Sequence, residues 1–146
     1  MIDPLVEAAT DILEGSLAAM REAIAGTPRD ALNRPPTDGA NPIAVLVTHA
    51  MHSTRWWLST ATHAPMPARD RPSEFTATAS SVDELLSFFD GMAADCRTIL
   101  RSSPTFDAGA LREDDHDEPV TAGWALLHAL EHLGEHVGHA QLTVQL

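Results

Sequence analysis

The sequence predicts an all-α fold: one domain over residues 1–146, built as a four-helix bundle. Three observations predict it. Four stretches carry apolar residues at intervals of three and four, the spacing that lines one face of a helix. Each stretch is bounded by helix start or stop signals. No segment alternates apolar and polar residues for long enough to argue a strand. Four helices of about 20 residues each would span about 30 Å, the length of a small bundle.

The first helix opens at Asp3-Pro4, an N-cap followed by proline at the first helical position. Leu5, Ala9, Ile12, Leu13, Met20 and Ile24 recur at helical spacing, and Gly26 with Pro28 ends the run. Residues 26–41 are rich in Pro, Gly and Asn and form a connection. Asn41-Pro42 repeats the cap-and-proline signal. Ile43, Leu46, Val47, Ala50, Trp57 and Leu58 then mark a second helix to about Thr62, with His49 on it and His52 one turn on. Residues 63–79 hold three prolines and read as a loop; loops this long in compact domains are often functional.

Ser81 and Glu84 have the form of a capping box. The third helix follows, with Leu85, Phe89, Met92, Cys96 and Leu100 on its apolar stripe, and stops before Ser103-Pro104. Residues 103–120 form a second loop containing an acidic run from Glu113 to Glu118. That run lacks the D-x-[DN]-x-[DN]-G pattern of a calcium loop and reads as solvated. Pro119 and Thr121 start the fourth helix.

Composition narrows the function. The apolar share of 44% is ordinary for a globular domain. All nine basic residues are Arg, and the net charge of -12 argues against a nucleic-acid partner and against anionic membranes. No apolar run approaches the roughly 18 residues that span a bilayer. The one cysteine, Cys96, excludes an intramolecular disulfide, fits a reducing compartment and sits on a core stripe. The N-terminus carries acids where a signal peptide carries bases, so the expected location is cytoplasmic.

The fourth helix carries the chemistry. It holds four of the eight histidines: His128, His132, His136 and His139. Spacings of four, four and three keep them within a sector of roughly 80°. A solvated face is normally built from Glu, Lys and Arg, and a packed one from Leu, Val and Ala. Beside this stripe runs an apolar seam of Leu126, Leu130, Leu133, Val137, Ala140 and Val144. His132 and His136, at i and i+4, can converge on one metal ion. His49 on the second helix is the best third donor, which places the ion off the bundle axis, near an opening. All-imidazole ligation suits Zn, Ni, Cu or Fe. His52, His128 and His139 are flanking groups: positioning residues, substrate contacts, substitute ligands or filler. Glu131 and Glu135 are either solvated or orient a ligand imidazole. His63 and His116, both in loops, read as solvated. Of Trp56 and Trp57, one is expected in the core and the other against the site or a partner.

Two segments resemble a known family. NPIAVLVTHAMHSTRWW, residues 41–57, is similar to the second helix of DinB-like proteins, where a histidine is followed by bulky aromatics. LHALEHLGEHVGHAQ, residues 127–141, is similar to the fourth, with the H-x-x-x-H-x-G pattern and the H-x-G-H-x form of one branch. The resemblance implies a DinB/YfiT-like four-helix bundle, often a homodimer, with a divalent metal on His49, His132 and His136. Some such relatives are S-transferases using mycothiol, bacillithiol or glutathione; others are mycothiol-dependent maleylpyruvate isomerases. This chain reads as ending just after the fourth helix, without the extra domain of larger isomerase-like relatives, which sets that reading behind the first.

The expected function is therefore transfer of a low-molecular-weight thiol to an electrophilic small molecule, with a divalent ion, zinc or nickel, on the three histidines. His52 or His139 would assist proton transfer. The rivals are a non-catalytic metal-binding stress-response protein, metal-assisted hydrolysis, and thiol-dependent isomerisation.

Overall fold

Four long helices dominate the computed structural model: α1 over Pro4–Ala25, α2 over Ile43–Thr62, α4 over Val82–Arg101 and α5 over Ala122–Gln145. A single turn, α3, covers Arg71–Glu74 between α2 and α4, and a 3-10 turn covers Arg29–Ala31. The structure describes residues 1–113 and 118–146; His116 and the centre of the acidic run lie outside the described residues.

Local chemistry starts three of the helices as their sequences predict. Asp3 accepts from the Leu5 amide at 2.8 Å, Ser81 from Glu84 at 3.0 Å and Thr121 from Trp124 at 3.1 Å. The second helix departs from the expectation. Its N-cap is Pro42, no side chain caps it, and Asn41 lies outside. The Pro42 carbonyl simply accepts the Leu46 amide at 3.0 Å. Glu84 also differs in detail, reaching the Ser80 amide at 3.4 Å and the Ser80 hydroxyl.

The loop at 103–120 contains a two-stranded antiparallel ribbon, β1 (Leu111–Arg112) with β2 (Val120–Thr121). Two residues per strand are too few for alternation to register in a sequence. The ribbon serves α2: Arg112 donates to the Thr60 carbonyl at 3.0 Å and to the Ala61 carbonyl at 3.2 Å. Those are end-of-helix carbonyls, and a cation there also suits the helix dipole.

The long helices pack around a square. The α2–α5 interface is the most extensive, followed by α2–α4, α1–α5 and α1–α4. So α1 lies diagonal to α2, and α4 diagonal to α5. The connections after α1 and after α4 cross a diagonal, and the one from α2 to α4, along a side, is of similar length. The core is continuous through Leu13, Leu17, Met20, Met51, Leu58, Phe89, Leu126 and Leu133. Cys96 is fully buried in it, and burial pushes its thiol up to about 12, too high for nucleophilic work. Trp56 and Trp57 are both half-buried; neither is a core residue. No helix of the described residues is long and apolar enough to cross a membrane.

Three glycines of α5 divide into two kinds. At Gly123 an added Cβ would meet the Ala108 carbonyl at 3.0 Å, and the Gly123 amide donates to that carbonyl at 2.9 Å. At Gly134 and Gly138 a Cβ would meet nothing. Chemical denaturation should therefore show Gly134→Ala more stable by about 0.5–1 kcal/mol, through helix propensity, and Gly123→Ala less stable. Truncating Leu126, fully buried, to Ala should cost about 2–5 kcal/mol, whereas its exposed neighbour Leu127 should tolerate Ala within about 0.5 kcal/mol.

Candidate metal centre

The α2–α5 seam brings three histidines together. His49, His132 and His136 each offer a ring nitrogen, and these three atoms all lie within 4.8 Å of one another. The rings of His132 and His136 stand nearly perpendicular to one another, their centroids 4.4 Å apart. His49 meets the two edge-on, at 5.2 Å and 5.0 Å. Helix geometry explains the arrangement. One turn of α5 stacks His132 under His136, and the buried alanines Ala125, Ala129 and Ala140 allow a neighbouring helix close. His49 is buried, and the other two are half-buried toward solvent.

Hydrogen bonding identifies which nitrogen of His49 carries the lone pair. His49 Nδ1 lies 2.9 Å from Glu74 Oε1. An ionised carboxylate only accepts, so His49 donates through Nδ1–H and its Nε2 keeps the lone pair. His136 Nδ1 lies 3.3 Å from Nδ1 of the exposed His139, which can accept its proton. His132 and His136 then face each other through Nε2 atoms 3.2 Å apart. That spacing is close to the edge of a tetrahedron whose metal–nitrogen distances are about 2.0–2.1 Å, an edge of about 3.3 Å. His132 Nδ1 is buried without a hydrogen-bond partner among the described residues. The donor set thus fits a borderline divalent ion.

Electrostatics favour the neutral form of the two α5 rings. Burial is the main cause lowering both α5 rings, reinforced by the charge each would feel from neighbouring imidazoles; His132 is lowered and His136 falls to about 4. Neutral imidazoles are the form that binds metal. Glu74 is buried at 2% exposure, and burial alone would raise its carboxyl. Arg69 outweighs that with two bonds, Nε to Oε2 at 2.8 Å and Nη2 to Oε1 at 2.9 Å, and with His49 holds Glu74 below its ordinary value.

The flanking histidines separate. His139 touches His136 and also lines a groove of about 330 Å³ with Ala40, Leu46 and Leu142. His52 turns toward Phe88, at 5.8 Å between centroids, and Arg55 Nη2 lies 3.5 Å from its Nδ1. Burial lowers its pKa. His128 stacks on Trp124 at 4.6 Å and meets Trp57 edge-on at 4.9 Å, forming an aromatic group beside His132. Exposed His63 ends α2 in the left-handed conformation, φ 58°.

Neither acid of α5 orients a ligand. Glu131 approaches His128 at 3.4 Å, and Glu135 is exposed. The orienting carboxylate is Glu74, from the loop after α2, which the sequence reading passed over. Its only sequence signal was its place in a long loop. Phe75 beside it packs on the His49 ring at 4.8 Å, and Arg69 lies over Trp56 at 5.9 Å.

The lowered rings have a thermodynamic consequence. Below their ordinary value of 6.5, unfolded His132 and His136 take up protons that the folded rings refuse. The unfolded state then binds more protons, so stability falls as pH falls. The metal-free protein should lose thermal stability as pH drops from about 6.5 toward about 4, and His136→Gln should flatten that dependence. Melting temperatures between pH 7.5 and 4.5, recorded in chelator, check this.

Comparison with known proteins agrees with this architecture. The chain is similar to a solved structure of a conserved protein from Enterococcus faecalis, with a TM-score of 0.78 at 14% identity, covering 99% of this chain and 96% of that one. At that identity the likeness shows the fold alone. No curated protein matches the sequence. The sequence model of the DinB superfamily matches residues 12–140, which include all three clustered histidines. By that match the chain belongs to the DinB superfamily.

Proposed function

We propose that the protein is a divalent-metal-dependent S-transferase that joins a low-molecular-weight thiol, of the mycothiol or bacillithiol type, to an electrophilic small molecule. The observation that carries this reading is the cluster of three imidazoles whose ring nitrogens lie within 4.8 Å of one another, with no fourth protein ligand among the described residues. A structural zinc site closes with four protein ligands, whereas a catalytic one keeps a position open. Zinc or nickel held by His49, His132 and His136 would supply the positive charge that favours a thiolate over a thiol.

The chain's own groups supply the rest. Glu74 and His139 fix the orientation of His49 and His136. In the overall reaction, sulfur bonds to the electrophilic carbon and the leaving group departs with the electron pair of its bond. The thiol proton passes to a neutral imidazole and on to solvent. His139, exposed and against His136, and His52, kept neutral by burial one turn from His49, are the candidates for that transfer. The aromatic faces of Trp57, Trp124 and His128 offer an apolar shelf beside His132 for the electrophile.

The test combines metal analysis with a panel of alkyl halides and epoxides, assayed with and without added thiol. Turnover should require both zinc or nickel and thiol. His132→Ala and His136→Ala should abolish stoichiometric metal uptake and turnover while keeping the helical circular dichroism. Metal-dependent turnover without thiol would instead indicate hydrolysis, and a rearranged product without net transfer would indicate isomerisation. Metal uptake without turnover on the panel would leave a metal-binding protein.

A further inference from the structure

We infer that Glu74 is a positioning residue for the metal centre, through which the segment between α2 and α4 and the ion bind cooperatively. The inference rests on the reading of the three histidines as a metal site. Glu74 is the only buried carboxylate among the described residues, and all its partners are charged or imidazole groups. A buried carboxylate is costly unless each oxygen is engaged. Here Oε2 is taken by Arg69 alone, while Oε1 is shared between Arg69 and His49. The lone contact outside the segment is therefore the one to His49 Nδ1. A carboxylate at that position fixes the tautomer, points Nε2 at the ion and makes the ring a stronger donor.

The same contact works in reverse. An ion on Nε2 makes the Nδ1–H a stronger hydrogen-bond donor, so it tightens the hold of His49 on Glu74. Thermodynamic linkage requires the two effects to be equal. The segment also meets α2 through Phe75 on the His49 ring, Arg69 over Trp56, and the Thr60 hydroxyl on Met66 Sδ at 3.8 Å, and Asn33 holds its far end with two bonds to Ala79 at 2.8 Å. Among these contacts the bond from His49 to Glu74 is the one to a buried carboxylate, the kind most sensitive to charge on the donor ring.

Two measurements test this. The first is zinc affinity by chelator competition on folded protein. Glu74→Gln keeps the shape and removes the charge, and should weaken zinc binding about 10–100-fold. Glu131→Gln, at the exposed partner of His128, should leave it unchanged. A purely structural role for Glu74 would lower the melting temperature without moving the affinity of the folded protein. The second needs no variant. Among residues 63–79 the basic side chains are Arg69 and Arg71, and Arg71 precedes Pro72, so trypsin cuts the segment after Arg69. Zinc should slow that cleavage several-fold more than cleavage after Arg29 in the connection before α2. An affinity for folded Glu74→Gln within threefold of wild type overturns the inference. If that variant does not fold, equal zinc protection at Arg69 and Arg29 overturns it instead. Wild-type protein that takes up no zinc at all would sink the metal reading itself, a separate result.

Discussion

A carboxylate in a protein interior must have its oxygens engaged, and much of this site follows from how Glu74 meets that demand. Arg69 grips it with a planar fork, and His49 gives it one N–H. To place these groups, the chain after α2 folds back over the helix it has just left. Phe75 comes to rest on the imidazole, and Arg69 on Trp56. One buried charge thus sets the path of a segment, the tautomer of a ring and the wall of the site. Replacing it alone by an apolar residue would leave the largely buried Arg69 guanidinium without its partner. The orientation of His49 would be lost.

The long helices impose a complementary constraint. On α5, one face packs into the core through Leu126, Leu130, Leu133 and Val137, while the histidines occupy the adjoining edge. That edge is only half-buried, which serves two purposes at once. It is dry enough to keep His132 and His136 neutral, and open enough to leave one side of the cluster without protein ligands among the described residues. A fully buried row would exclude substrate, and a fully exposed one would protonate more readily and bind metal less well in mild acid.

Periodicity and punctuation made the frame legible: all four long helices lie where apolar spacing and cap residues put them, within a residue or two. The clustered histidines were legible for the same reason. An i, i+4 pair shows in a sequence, and His49 lay with His52 near the middle of the one other long helix that carries histidines. What escaped were contacts with no period. Glu74 meets His49 across 25 residues of chain, and nothing local distinguishes it from a solvated loop acid. The ribbon that closes the end of α2 escaped because its strands are two residues long. The capping signal at Asn41 misled by one residue because Pro42, in extended conformation, itself takes the N-cap place and its carbonyl opens the helix.

The square arrangement of helices has a consequence for how the molecule is held together. The three histidines come from α2 and α5, separated in sequence by about 80 residues yet sharing the most extensive interface. With a single cysteine the chain cannot staple itself covalently. An ion seated on His49, His132 and His136 would tie those distant parts of the chain into one closed loop, as a disulfide does, but reversibly and under the control of metal supply. Unfolding would then have to release the ion first, so a metal held there would also act as the clasp of the fold.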